Sequence, residues 1–352
     1  MRITIAQKLQ PFSHRPGTSM LVPGSGQIVR LFPSRIEFAN HGCVDLEIEG
    51  PVVDFTVQQD LERGYIKVWG HAANGFFRYC LATTDNNQVL LTAEKVPGSH
   101  LTIKAAGWQM WQEGIASSAV ALQAKQSVVF GDTGNAGQCF VPADLERLSL
   151  GIDKAQDWDK AVARLDLAEL LPFWFRLGRL TPFNGTVKNS GTTALLSTEF
   201  PFENLLRVGF DGLLCPRLTD TDHQGFDLPV PVEGEDPLAL LHAGAKLIRQ
   251  LFLTQDGHAI SVLPALPSEL HRGRFLNMAC SFGVLDIEWS KKLIRRMRLT
   301  CHESCQATFN FQNALKDYRF RQGSKDAGRT VQNGATVSLQ AGKEYLFDHF
   351  HK

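Results

Sequence analysis

The chain lacks net charge. Its 36 Lys and Arg balance 36 Asp and Glu, so it has no concentrated positive field to attract nucleic acid or an anionic membrane surface. Long apolar runs are missing too, and none approaches the about 20 residues of a membrane span. The opening MRITIAQKLQPFSH has no apolar core followed by small residues. No secretory signal is read, and a cytoplasmic setting is expected. The 7 cysteines, an odd number at irregular spacing, do not make a disulfide framework. They read as reduced thiols, most of them buried as small apolar groups. There is no G-x-x-x-x-G-K-[ST] phosphate loop and no G-x-S-x-G nucleophile elbow. Internal repeats and low-complexity tracts are absent. No cofactor and no metal are expected, and neither nucleic acid nor membrane is expected as a partner.

What is present is an ordinary globular composition, 43% hydrophobic and 20% charged. A length of 352 residues suits two or three domains. Residues 1–140 read as all β. Short alternating runs at 27–32, 35–38, 44–48, 52–57, 65–69, 76–82, 89–93, 101–105, 119–123 and 127–130 are separated by turn formers such as Pro33-Ser34, Gly50-Pro51 and Pro97-Gly98. Strands at this spacing indicate a sandwich or barrel. The Gly131–Gly137 stretch reads as a surface turn and marks a boundary.

Residues 141–257 form a helical middle with a long irregular loop. Trp158, Val162, Leu165 and Leu170 recur at helical spacing. Pro172 is expected to end or kink that helix, with a second apolar helix starting at Phe173. Residues 181–235 are weakly patterned. Asp236-Pro237 then opens a helix, Asp as cap and Pro at its first position. That helix is apolar on more than one side and is expected to be buried.

Residues 258–352 return to strands. Leu285, Ile287 and Trp289 point one way while Asp286 and Glu288 point the other, and Leu293, Met297 and Leu299 alternate with Ile294, Arg296 and Arg298. Period two implies strands with one buried face, joined by a turn at Ser290-Lys291. The order of buried helix, D-G-H-A-I-S-V-L-P-A-L-P and F-G-V-L-D-I-E-W-S-K-K-L resembles the join between the last barrel helix and the C-terminal β-sandwich of helical-barrel glycoside hydrolases. The bacterial α-L-fucosidases of family 95 are the nearest in likeness, with family 65 further off. The resemblance spans residues 238–311. It implies a domain type and a hydrolase ancestry, and it carries no catalytic residue by itself.

That family needs a six-hairpin (α/α)6 barrel. Here residues 141–237 leave room for about four or five helices of ordinary length, so no complete barrel is expected. The family's Asn-rich stretch ending in a Tyr-Trp-Pro-like run is not in this chain. Its late acidic motif corresponds in place, but not in residue order, to the run from Asp220 to Asp227.

Glycoside hydrolysis usually needs two converging carboxyl groups. Asp222, Asp227 and Glu203 are the candidate catalytic residues, drawn from an acidic region that also holds Asp211, Asp220, Glu233 and Glu235. A solvated acidic loop is the plainer reading of the same residues. Trp108, Trp111, Arg217 and His223 are the candidate substrate-binding groups: indoles as sugar platforms, guanidinium and imidazole as donors. Trp108 and Trp111 fall outside a clear strand pattern. Cys301-His302-Glu303-Ser304-Cys305 resembles half a metal site but has no second pair, so buried thiols are expected there.

The expected fold is mainly β with a short α-helical middle, two β-sandwiches joined by a few helices. The expected function is saccharide binding by a hydrolase-derived protein, an oligosaccharide being the partner. An active glycoside hydrolase with a reduced carboxylate site is one alternative, and a protein-interaction scaffold with no sugar site is another.

Overall fold

The computed structural model describes residues 2–39, 42–106, 109–112, 114–131, 142–151, 154–181, 183, 185–197, 202–220 and 226–352. The chain is mainly β. The described residues form four sheets, four α-helices and one 3-10 helix, with no helical barrel. The N-terminal sandwich has an eight-stranded sheet running from Phe12–Ser13 through Val53–Asp60, Tyr65–Ala72, Gly75–Thr83, Val89–Lys95 and Ser127–Phe130 to Met110–Gln112 and Ile115–Ser117. Its six-stranded partner runs from Ala119–Leu122 through Leu101–Ala106, Gly42–Leu46, Arg35–Phe38 and Ile28–Phe32 to Thr18–Leu21. Inward residues of the two sheets meet, as in the 5.9 Å contact of Phe38 with Phe130. Turn-rich spacing predicts ten of these strands. It misses the strand at 18–21 and the two- and three-residue strands at 12–13, 110–112 and 115–117, the latter too short for an alternation to register.

The C-terminal sandwich pairs a seven-stranded sheet with a four-stranded one. The larger follows the order Arg147–Ser149, Arg272–Cys280, Gly283–Ser290, Leu293–Cys301, Glu344–His351, Asp317–Gln322, Arg329–Gln332. The smaller consists of Leu253–Asp256, Ala259–Val262, Cys305–Asn310 and Thr336–Leu339. Phe309 and Phe347 join the two layers at 4.8 Å. The hairpin turn is Lys291-Lys292, both left-handed (φ 53° and 64°), one residue later than expected. Leu285, Ile287 and Trp289 are buried as read. A bulge opposite Trp289 reverses the parity at the start of the next strand, so that Ile294 points inward and is buried.

Between the sandwiches lie α1 (Trp158–Arg164), α2 (Leu167–Leu180), α3 (Phe202–Gly209) and α4 (Leu238–Phe252). Contrary to the expectation, Pro172 neither ends nor starts a helix; it sits inside α2. The break comes earlier, where Leu165 turns left-handed (φ 50°) and Asp166 caps the new helix through the Ala168 N–H. A proline in a helix interior costs about 3 kcal/mol. Burial of Leu170, Leu171, Phe173, Trp174, Phe175 and Leu177 contributes about 1.5–3 kcal/mol for each large side chain, so packing wins. Helix α4 packs its apolar residues inward as expected but opens one residue later, with Pro237 at the cap position and Leu238 first, and the Asp236 carboxylate accepting from the Leu238 N–H at 2.9 Å.

The outer face of the seven-stranded sheet is charged rather than apolar. Glu288 bridges Arg274 and Arg296, Arg298 bridges Asp286 and Glu344, and Asp348 bridges Arg319 and Arg321. Burial works against ionisation of Glu288 and Asp348, but hydrogen bonds from their arginines outweigh it and hold both carboxyls below the ordinary range. Carboxylates with lowered folded values add stability above their unfolded values and lose it as pH falls through the folded ones. The urea midpoint should therefore be level near neutrality and fall below about pH 4. That acid limb should be shallower in the Glu288→Gln/Asp348→Asn double variant. An identical limb would place the titrating carboxylates elsewhere.

Candidate functional site

A polar cleft at the seam of the N-terminal sandwich and the helical middle begins with residues 210–217. This segment folds back on itself: the Asp211 N–H donates to the Cys215 carbonyl at 2.6 Å, and Phe210 bridges Pro216. It then docks on the strand Thr18–Leu21. Leu213 forms a parallel bridge with Met20, and its N–H donates to the Ser19 carbonyl at 2.8 Å. Gly212 makes this approach possible, since it has φ +94° and a Cβ there would lie 2.6 Å from the Ser19 oxygen. From beneath, the Trp158 indole N–H donates to the Gly212 carbonyl at 2.6 Å. That indole is buried, with Phe210 edge-on at 5.8 Å.

The resulting cleft has a volume of about 430 Å³. Its polar side chains are Arg15, Arg30, Arg217, Asp159 and Asp211, with Thr18 and Ser19 along the strand. Arg217 is set by donating to the Phe210 carbonyl at 2.5 Å. Asp159 accepts from the Ser13 hydroxyl at 3.2 Å and faces Arg15 at 3.6 Å. Arg30 faces Glu37 at 3.5 Å. Guanidinium forks supply donors, and carboxylates supply acceptors. Together they suit a ligand rich in groups that both donate and accept. Cys215, buried behind the segment, has its thiol pushed well up by desolvation and is inert.

Of the residues singled out from sequence, Arg217 lies in this cleft, together with Asp211 from the same acidic region. Glu203 sits in the first turn of α3, half-buried, and does not line the cleft. Asp227 is exposed in irregular chain beyond Phe226, whose ring lies 5.7 Å from the Arg207 guanidinium. Trp108, Asp222 and His223 lie outside the described residues. Trp111 belongs to the strand Met110–Gln112, a correction to its reading as non-strand. Its strand stands at the opposite side of the eight-stranded sheet from Phe12–Ser13, the strand that leads to Arg15. Six strand spacings, about 29 Å, separate the two along the sheet, so Trp111 and the cleft are distinct places.

Sequence reasoning missed Arg15, Thr18, Ser19, Arg30 and Asp159. The Pro16-Gly17 turn between Arg15 and Thr18, and the isolated Gly212 before two leucines, were the available signals. In the Cys301–Cys305 run, the Cys301 thiol donates to the Glu303 carbonyl at 3.0 Å. Among the described residues no three His, Cys, Asp or Glu side chains gather as a metal site, and the six cysteines there are free. Among the described residues no helix is long and apolar enough to cross a membrane. No protein-family model matches the chain, and no curated protein matches it.

Proposed function

We propose that this protein binds a saccharide in the cleft between Thr18–Leu21 and residues 210–217, as a hydrolase-derived carbohydrate protein that works without a catalytic barrel. The observation that carries the reading is the convergence of Asp159 and Asp211 with Arg15, Arg30 and Arg217 beside two hydroxyl-bearing residues. Sugar hydroxyls are donors and acceptors at once and are matched by such a mixed lining. The direct passage of α4 into the hairpin Leu253–Asp256 and Ala259–Val262 keeps the element order on which the family-95 likeness rests.

Binding is favoured over hydrolysis. A general acid needs surroundings that keep its proton on, usually apolar burial. The Asp159 side chain is 43% exposed, and Asp211 is exposed.

A glycan array followed by titration of the best ligand tests this reading. Arg217→Ala should weaken binding about tenfold or more, the usual scale for losing a charged hydrogen bond. Asp211→Asn, which keeps the side chain's shape, should weaken it less. Trp111→Ala should leave it unchanged. Absence of any glycan ligand, or equal affinity in the Arg217 and Asp211 variants, would refute the assignment. Release of reducing ends from the bound glycan would instead establish the hydrolase alternative.

A further inference from the structure

The charged outer face of the seven-stranded sheet holds a second concavity, of about 670 Å³. Two irregularities on neighbouring strands shape it. On Leu293–Cys301 the register shifts so that Glu288 faces Arg296 while Trp289 faces Ile294, leaving Arg295 as the extra residue. On Glu344–His351 the register against Asp317–Gln322 shifts between Asp317 and Arg319, and His349 adopts φ +49°. Bulges re-aim side chains, and a non-glycine residue in the left-handed region persists only where its surroundings impose it. Both features put residues on the wall of one cavity, Arg295 from one strand and His349 from the other.

Arg295 differs from its neighbours. Arg274, Arg296, Arg298, Arg319 and Arg321 on this face are each engaged by a carboxylate, and Arg272 donates to the Gly151 carbonyl, whereas Arg295 is exposed and pairs with none of the described residues. The cavity wall holds two guanidiniums, Arg295 and Arg296, two carboxylates, Glu288 and Asp348, and the His349 imidazole. Arg274, Arg319 and Arg321 also engage the two carboxylates, so Arg295 is the guanidinium on the wall that no carboxylate engages. Glu288 and Asp348, each held by two arginines, keep lone pairs for hydroxyl donors. The Ser290 hydroxyl and the Phe350 ring complete the wall.

We propose that this concavity binds a small hydroxylated oxyanion, a sugar phosphate or a sugar acid. Arg295 takes the oxyanion, and Glu288 and Asp348 accept hydroxyl hydrogen bonds. The site lies on a different sandwich from the saccharide cleft, and the argument for it is independent of that reading.

Titration calorimetry of the full chain with glucose 6-phosphate, glucuronate, glucose and inorganic phosphate tests it. One or both anionic sugars should bind saturably, and which one binds tighter tells phosphate from carboxylate. Glucose should bind about tenfold or more weakly, and Arg295→Ala should cost a similar factor. Arg295 is exposed, so its removal leaves the core intact, and a Lys325→Ala control should match the wild type. The factor lost on Arg295→Ala should be the same in the wild type and in the Arg217→Ala background, which separates failure here from failure of the saccharide cleft. No saturable binding by either anionic sugar, or an affinity indifferent to Arg295→Ala, overturns the proposal. Inorganic phosphate binding as tightly as glucose 6-phosphate overturns the role given to the two carboxylates.

Discussion

Replacing Arg176 with methionine is expected to destabilise the fold by about 3 kcal/mol or more, because it strands polar groups in the interior. Arg176 is 2% exposed in the middle of α2. Its guanidinium donates to the carbonyls of Leu61 at 3.1 Å, Glu146 at 3.3 Å and Pro142 at 2.5 Å. One of these belongs to the N-terminal sandwich, and the others to the chain that leads into the C-terminal sheet. Burial pulls the group down to about 10, with Glu62 opposing and Arg147 and Arg179 adding to the effect. It therefore stays charged at neutral pH. Methionine fills similar space but donates nothing. Lysine should recover only part of the loss, since one ammonium cannot fan out to carbonyls on separate segments. Urea unfolding measures all three proteins. A methionine variant within about 1 kcal/mol of wild type, the net worth of an ordinary hydrogen bond, would mean the carbonyls find other partners.

A second large effect is expected at Trp174. Its indole is buried and donates to the Leu241 carbonyl at 3.0 Å. A Cβ on Gly244 would come within 2.4 Å of that indole, and one on Gly209 within 3.0 Å. Trp174→Ala should cost about 3–5 kcal/mol. Gly244→Ala should cost about 1–3 kcal/mol in the wild type through overpacking. In the Trp174→Ala background the same glycine change should be neutral or stabilising, because alanine is the better helix former by roughly 1 kcal/mol. The double-mutant cycle isolates this coupling. Additive costs would show that Gly244 serves something other than the indole.

These two sites differ in how far the sequence announces them. The helix around Trp174 is legible from apolar spacing, and its burial follows from the run Phe173-Trp174-Phe175. That Gly244 makes room for the indole is not legible, because the two residues are brought together only when α2 packs on α4. Pro172 misleads for the same reason: its local penalty is fixed by chemistry, while the burial that outweighs it is tertiary. The alternation of Leu285, Ile287 and Trp289 reads correctly because a strand's two faces are local. The bulge at Arg295 is invisible, since a single inserted residue leaves no trace in a short pattern. The cleft is harder still. Arg217 and Asp211 stand out in an acidic, weakly patterned region, but Arg15, Arg30 and Asp159 come from three separate segments. No spacing rule links them.

Residues 2–10 run between two parts of the molecule that are made at different times. The Thr4 carbonyl accepts from Arg274 at 2.9 Å, the Gln7 side chain accepts from the Ser149 hydroxyl at 2.9 Å, and the Leu9 N–H donates to Glu62 at 2.9 Å. On a ribosome the N-terminal sandwich can close early, yet this leading segment stays half-fastened until the strand bearing Arg274 emerges. Its final anchoring spans 270 residues of chain, a contact whose closure entropy is met only once the strand bearing Arg274 is made. Residues 4–9 are thus fully locked in place only after the C-terminal sheet has formed.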